Sequence, residues 1–268
     1  LLRGVQSPAD LIAACVRAGY GAVHLADVNG LYGAASFHFE AKGRGVKPLI
    51  GMELRVEQTD RLALIAATRE GYRNLCRLAT RRQLTPEQFC LLDDVVAHRE
   101  GLIVLCDRPE WLSRLAASLG DSQPYAEFAP GEGPGQRRRL RRLFAAAREA
   151  NIPPIAAMDS YFAAPSGHLM HRVVTDIRLM PAARPSRDDD YESPQRHLRE
   201  PDAMARFFAR CPEAIANANA MADRCDDDVL GIEPGRFHFP VSRVPRGQTS
   251  FSHLHRLSER GLRRRYRP

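Results

Sequence analysis

The sequence lacks any paired cysteine motif. Its six cysteines, at positions 15, 76, 90, 106, 211 and 225, form no CxxC pair and mostly sit inside apolar patterns. That arrangement argues against zinc knuckles and against a disulfide framework; reduced, buried thiols are expected, none of them a strong nucleophile. Long apolar runs are absent as well. None approaches the roughly 20 residues needed to span a bilayer, so no membrane partner is expected. The opening residues Leu1, Leu2, Arg3 and Gly4 show neither the charged nor the apolar region of a secretory signal, and a cytoplasmic globular protein is the expectation. No internal repeat is found.

What is present is enough chain for one large core, or for one core plus an appendage: 268 residues, 44% hydrophobic and 26% charged. A formal charge of +7 suits a polyanionic partner, although many ordinary domains are this basic. Arg137, Arg138, Arg139, Arg141 and Arg142 fall on a helical stretch whose Leu140, Leu143, Phe144 and Ala147 repeat at i, i+3, i+4 and i+7. The arginines therefore take its solvent side, either as a solvated face or as a phosphate track. A second cluster, Arg260, Arg263, Arg264, Arg265 and Arg267, lies on a terminal helix that faces DNA or leads into a further domain. The candidate nucleic-acid contacts are Arg137, Arg138, Arg141, Arg263, Arg264 and Arg265.

Six short apolar runs alternate with helix-like stretches, the pattern of a mainly parallel α/β sheet. Four of them end on a carboxylate: Asp27, Glu53, Asp107 and Asp159 follow Ala22 to Ala26, Leu49 to Met52, Leu102 to Cys106 and Ile155 to Met158. In an α/β barrel such strand ends converge on one mouth, where carboxylates can meet around a metal ion or a phosphate. They can equally cap helix N-termini; that bland reading is preferred for Asp159 and stands level with the functional one for Asp27 and Glu53. Histidines, which a working metal centre would need, do not stand beside these acids. His24 lies mid-strand and His38 inside a helix, while His168 and His171 have ligand spacing that is also common on surfaces. Arg61 to Ala67 reads as a strand close behind the one ending at Glu53, so the two are expected to pair as a hairpin. Past His168 the character changes: a Pro-rich acidic loop over Arg178 to Pro194, two short helices over Pro201 to Arg224, an extended stretch over Asp226 to Gln248, and an amphipathic basic helix over Phe251 to Arg265.

Several phrases in this order carry a resemblance: Ala26-Asp27-Val28-Asn29-Gly30-Leu31-Tyr32-Gly33, Pro48-Leu49-Ile50-Gly51-Met52-Glu53-Leu54, Glu70-Gly71-Tyr72-Arg73-Asn74-Leu75-Cys76 and Gly101-Leu102-Ile103-Val104-Leu105. Together they resemble the N-terminal PHP (polymerase and histidinol phosphatase) domain of bacterial DNA polymerase III alpha subunits. The stretch Arg196-His197-Leu198-Arg199 through Phe207-Phe208 to Pro212-Glu213-Ala214 is similar to the segment that follows it, especially in the error-prone branch. The resemblance implies a distorted (β/α)7 barrel over residues 1–178, with its first strand upstream of Leu1. A loop-rich helical extension over 179–250 and a basic helix over 251–268, leading towards a polymerase palm outside this chain, would follow.

In some relatives the barrel mouth holds up to three divalent metals and performs 3′–5′ exonuclease proofreading, chemistry that requires several ligands in fixed geometry. Here the family's Asp-His pair corresponds to Asp27-Val28, its Asp-x-His to Asp159-Ser160-Tyr161, and its glutamate to Glu53, while the first His-x-His lies before Leu1. The surviving candidate ligands are Asp27, Glu53 and Asp159, which would hold Mg, Mn or Zn only weakly; no cofactor is otherwise expected. The expected function is a PHP domain of an alpha-type DNA polymerase in replication or error-prone repair synthesis. Its metal site would be degenerate, and its role structural or subunit-docking. DNA, the polymerase core and an accessory or proofreading subunit are the implied partners. The rival readings are a metal-dependent exonuclease or phosphoesterase and a free-standing DNA-binding module.

Overall fold

The computed structural model describes residues 4–56, 60–120, 124–131, 133–180, 190–232 and 243–266. The chain divides into two units, Leu1–Gly231 and Ile232–Pro268. In the first, helix α1 (Pro8–Arg17) starts as its sequence dictates: the Ser7 hydroxyl accepts from the Asp10 amide at 3.2 Å and Pro8 occupies the first turn. Strand β1 (Ala22–Val28), helix α2 (Ala34–Gly43), β2 (Lys47–Arg55) and β3 (Arg61–Ala66) follow. Next come α3 (Arg69–Leu84), a 3-10 turn at Pro86–Gln88, α4 (Leu91–Ala97), β4 (Leu102–Cys106), α5 (Pro109–Leu119), β5 (Tyr125–Phe128), α6 (Gly133–Glu149) and β6 (Pro154–Ala156). Helices α7 (Gly167–Leu179), α8 (Pro201–Phe207) and α9 (Glu213–Arg224) complete the unit.

The strands form one curled six-stranded half-barrel in chain order, the α/β architecture expected from the alternation of runs. Pairs β1–β2, β4–β5 and β5–β6 are parallel, each joined through helices. The expected hairpin is present: β2 and β3 pair antiparallel, with Glu53 opposite Ala63 and Arg55 opposite Arg61. Strand β4 also runs antiparallel to β3.

Alternation along the strands separates two faces. Ile50, Met52 and Leu54 of β2, Leu62 and Leu64 of β3, and Leu102, Val104 and Cys106 of β4 pack against the helices, among them Phe37 of α2, Leu75 and Leu78 of α3 and Leu112 of α5. The intervening residues Leu49, Ala63, Ile65, Ile103, Leu105, Tyr125 and Ile155 form a second cluster with Met221, Ala222 and Cys225 of α9. The Asn217 side chain of α9 donates to the Pro154 carbonyl at 2.7 Å and ties that helix to β6. All six cysteines are free, and burial pushes the Cys106 thiol up to about 12 and that of Cys15 up to about 11. Of the loop expected over Arg178 to Pro194, residues 181–189 lie outside the described residues, as do 233–242 of the stretch Asp226 to Gln248.

The second unit carries α10 (Ser250–Arg265), opened by a capping box between Thr249 and Ser252. None of its residues is buried.

Candidate functional site

The face of the sheet that carries Ala63, Ile65 and Leu105 changes character at one end, where the positions of β2 to β5 in phase with those apolar residues are charged. Continuing β3 outward from Ala63 gives Arg61, β4 beyond Leu105 gives Asp107, β5 beyond Tyr125 gives Glu127, and β2 beyond Leu49 and Gly51 gives Glu53. Asp159 follows β6 with a backbone φ of 49°, in the left-handed region. The result is a cluster of four carboxylates around one guanidinium.

Arg61 Nη1 donates to Glu53 Oε2 at 3.0 Å. Its Nη2 lies 3.0 Å from Asp107 Oδ2, 3.5 Å from Glu127 Oε2 and 3.5 Å from Asp159 Oδ2. One nitrogen with two protons is therefore shared among three carboxylate oxygens. Glu53, Asp107 and Glu127 are buried, and Arg61 and Asp159 keep only 13% and 14% of their side-chain exposure. Three further arginines reach the rim. Arg55 Nη2 pairs with Glu53 Oε1 at 2.6 Å, Arg139 of α6 with Asp107, and Arg196 with Asp159 and, at 3.0 Å, with Glu192. Four arginines thus meet the four carboxylates of the cluster, Arg196 being shared with Glu192.

The electrostatics follow from this sharing. Burial alone would depress the Arg61 guanidinium, but Glu127, Asp159, Asp107 and Glu53 more than reverse it and hold Arg61 above the ordinary arginine range. Burial raises the Asp159 carboxyl, yet Arg61 and Arg196 outweigh it and hold the group below the usual carboxylate range. Glu127 is pushed up to about 7, first by burial and then by its carboxylate neighbours, against a partial pull from Arg61. Asp107 keeps one buried oxygen, Oδ1, without a hydrogen-bond partner.

The candidate ligands separate. Glu53 and Asp159 both join the cluster. Asp27 does not: it has the strand parity of Val23 and Leu25, which pack on the helix side, and its Oδ2 accepts from the Gly33 amide at 2.7 Å, at the start of α2. The β1 position level with Glu53 is Val28. Asp107 was noted as a strand-end acid but not counted among the candidate ligands; the cluster members that sequence reasoning did not single out are Arg61 and Glu127. Their signal was a charged residue in phase with the buried face of an apolar strand: Arg61 with Ala63 and Ile65, Glu127 with Tyr125.

Other candidates lie elsewhere. His24 is half-buried on β1, and its buried Nε2 lacks a hydrogen bond. His168 and His171 stack at 6.5 Å between ring centroids, and His171 Nε2 accepts from the Glu192 amide. Arg137, Arg138 and Arg141 are exposed on α6, and Arg263, Arg264 and Arg265 are exposed in the last turn of α10.

Comparison with known proteins defines the class. The PHP domain family matches residues 1–152, and the chain belongs to that family. Among curated relatives it is 32% identical over 276 residues to an error-prone DNA polymerase of Pseudomonas paraeruginosa, a match covering 98% of this chain and 26% of that protein. An error-prone DNA polymerase of Pseudomonas aeruginosa is 30% identical and one of Aromatoleum aromaticum 31%, each over 98% of this chain. The chain spans about a quarter of the length of these relatives. A solved structure from Bifidobacterium adolescentis, described as a metal-dependent phosphoesterase, superposes with a TM-score of 0.38 at 13% identity, covering 58% of this chain and 82% of that one.

The residues present do not fit the divalent metals that the family implies. A guanidinium stands among the four carboxylates, the β1 position facing them is a valine, and no imidazole joins the set. Among the described residues no group of three or more His, Cys, Asp or Glu side chains is arranged to hold a metal ion. No helix among them is long and apolar enough to cross a membrane.

Proposed function

We propose that this chain serves as the PHP segment of an alpha-type, error-prone DNA polymerase and that its role there is architectural. One observation carries the reading: the likeness to error-prone polymerases covers 98% of the chain, running well beyond residue 152 through the helices that follow the half-barrel. The barrel and its extension are inherited together. The mouth supports the same reading from chemistry, because its carboxylates are engaged by arginines that metal-bound hydroxide chemistry would have to displace. On this reading nucleotidyl transfer belongs to the part of the relatives that this chain does not cover. The segment contacts the polymerase core or an accessory or proofreading subunit, and works on DNA in the cytoplasm only through that assembly.

Co-expression with the part of the Pseudomonas paraeruginosa relative that this chain does not cover tests the proposal. The expected result is a co-purifying complex that extends a primed template, with the remainder alone insoluble or inactive. A remainder that is fully active alone and never retains the chain would overturn it. Mn²⁺-dependent shortening of 3′-labelled DNA, abolished by Glu53→Gln, would instead establish the exonuclease reading.

A second reading has one feature behind it, the exposed Arg137, Arg138, Arg141 and Arg142 of α6. If they form a phosphate track, DNA affinity must fall steeply with salt and must weaken on charge reversal along α6. Binding that is absent, or indifferent to both, removes that reading.

A further inference from the structure

Four carboxylates delivered to one place by four different chain segments repel one another unless a cation lies between them or some of them take up protons. The burial of Glu53, Asp107 and Glu127 makes that requirement strict, since an unpaired buried charge is among the costliest groups a fold can carry. The cation here is part of the chain. Arg61 opens β3, the antiparallel strand between β2 and β4, so its guanidinium is delivered to the middle of the acids by the same hairpin that places Glu53.

We infer that Arg61 is the resident cation of this mouth: it stands where these carboxylates would otherwise gather a divalent ion, joins the strand ends without metal, and keeps hard divalent cations out. Three features support the exchange. The Arg61 Nη2 is approached by Asp107, Glu127 and Asp159 oxygens at 3.0–3.5 Å, a convergence from several segments onto one point that a helix cap or a surface pair does not produce. The Arg61 side chain keeps only 13% of its exposure to water. Asp107 Oδ1, buried and accepting no hydrogen bond, is a potential metal ligand that the flat guanidinium fork leaves unused. The donor set is all oxygen, so once the guanidinium is removed the site should take Mg²⁺ or Mn²⁺ in preference to Zn²⁺.

The inference deepens the architectural reading and rests on it only for the absence of hydrolysis; the two fail separately. Loss of co-purification with a polymerase remainder leaves the exchange of cations untouched, whereas Mn²⁺ uptake by the unaltered chain overturns the exchange even in a chain that co-purifies. The test is calorimetric titration of the 268-residue chain with Mn²⁺ and with Zn²⁺, beside thermal melts in EDTA and in Mn²⁺. The unaltered chain should give no binding heat and the same melting temperature in both media. Arg61→Ala should melt lower in EDTA, bind Mn²⁺ stoichiometrically, and recover stability in its presence. Adding Asp107→Asn should weaken that binding at least tenfold. Stoichiometric Mn²⁺ binding by the unaltered chain overturns the inference, as does a folded Arg61→Ala that binds no Mn²⁺. Should Arg61→Ala unfold in EDTA, refolding in Mn²⁺ supports the exchange; failure to refold in Mn²⁺, with Arg61→Lys folding normally, contradicts it.

Discussion

At the scale of single residues the mouth is a balance of buried charges, and removing one member exposes the cost of the others. Arg61→Met keeps most of the side-chain volume but leaves the carboxylates facing one another. Loss of one partner from a buried ionic network typically costs about 3–5 kcal/mol, and urea denaturation at neutral pH should show a loss of that order. A change below about 1 kcal/mol would place the Arg61 contacts in the class of weak surface pairs. Glu127 and His24 give the fold two pH dependences of opposite sign. The folded Glu127 is raised from 4.5 to about 7, so its contribution to stability is fully present below the unfolded value and is lost as pH rises through about 7. Glu127→Gln should flatten the fall in stability across that window.

His24, lowered from 6.5 to about 4 by burial with a small offset from the nearby Leu64 carbonyl, contributes stability that is present above 6.5 and lost as pH falls through about 4. His24→Leu should remove that acid limb. Melting curves of each variant across pH 4 to 8 separate the two, and slopes unchanged from those of the unaltered chain would contradict both assignments.

At the scale of elements, strand parity decides which acids meet. Asp27 and Val28 are adjacent, yet only Val28 faces the cluster; Asp27 serves the first turn of α2 through the Gly33 amide. Asp27→Ala should therefore cost about 1 kcal/mol as a lost helix cap and leave the Arg61 cluster intact, measurable as a shift in urea midpoint with no change in metal binding. Gly51, level with Ala26 of β1, is fixed by crowding: a Cβ there would lie 2.2 Å from both the Leu64 carbonyl oxygen and His24 Nε2. Gly51→Ala should lower stability by about 1–3 kcal/mol through overpacking, and a neutral result in denaturant melts would mean that β1 to β3 can separate freely.

The same parity explains what could be read in advance. The alternation of apolar runs with helices, the β2–β3 hairpin and the convergence of strand ends are periodic properties of the chain and were legible. Glu53 and Asp159 were legible as strand-end acids by position alone. Arg61 was not, because a basic residue opening a strand looks like a turn residue until β3 is seen lying between two strands that carry acids. Glu127 was hidden inside a short apolar run. The helical face of α6 was legible, but the fact that Arg139 turns from it to Asp107 depends on how α6 packs against β5, beside the end of β4.

At the scale of the whole molecule, membership of the PHP family and collinearity with error-prone polymerases coexist with a mouth whose acids are engaged by the chain's own arginines. On the inference drawn above, the four carboxylates and Arg61 form a structural clasp, and the fold keeps its shape without an ion that a chelator could remove. Chelators should accordingly leave the melting temperature of the chain unchanged. A drop of several degrees in EDTA would show that a tightly held ion supports the fold.

The most direct measurement is a crystal structure of the chain grown in Mn²⁺, with anomalous data collected to locate the ion. The expected map shows the Arg61 guanidinium between Glu53, Asp107, Glu127 and Asp159 and no anomalous peak among them. A manganese peak at the mouth, with Arg61 swung out to solvent, would contradict the central claim.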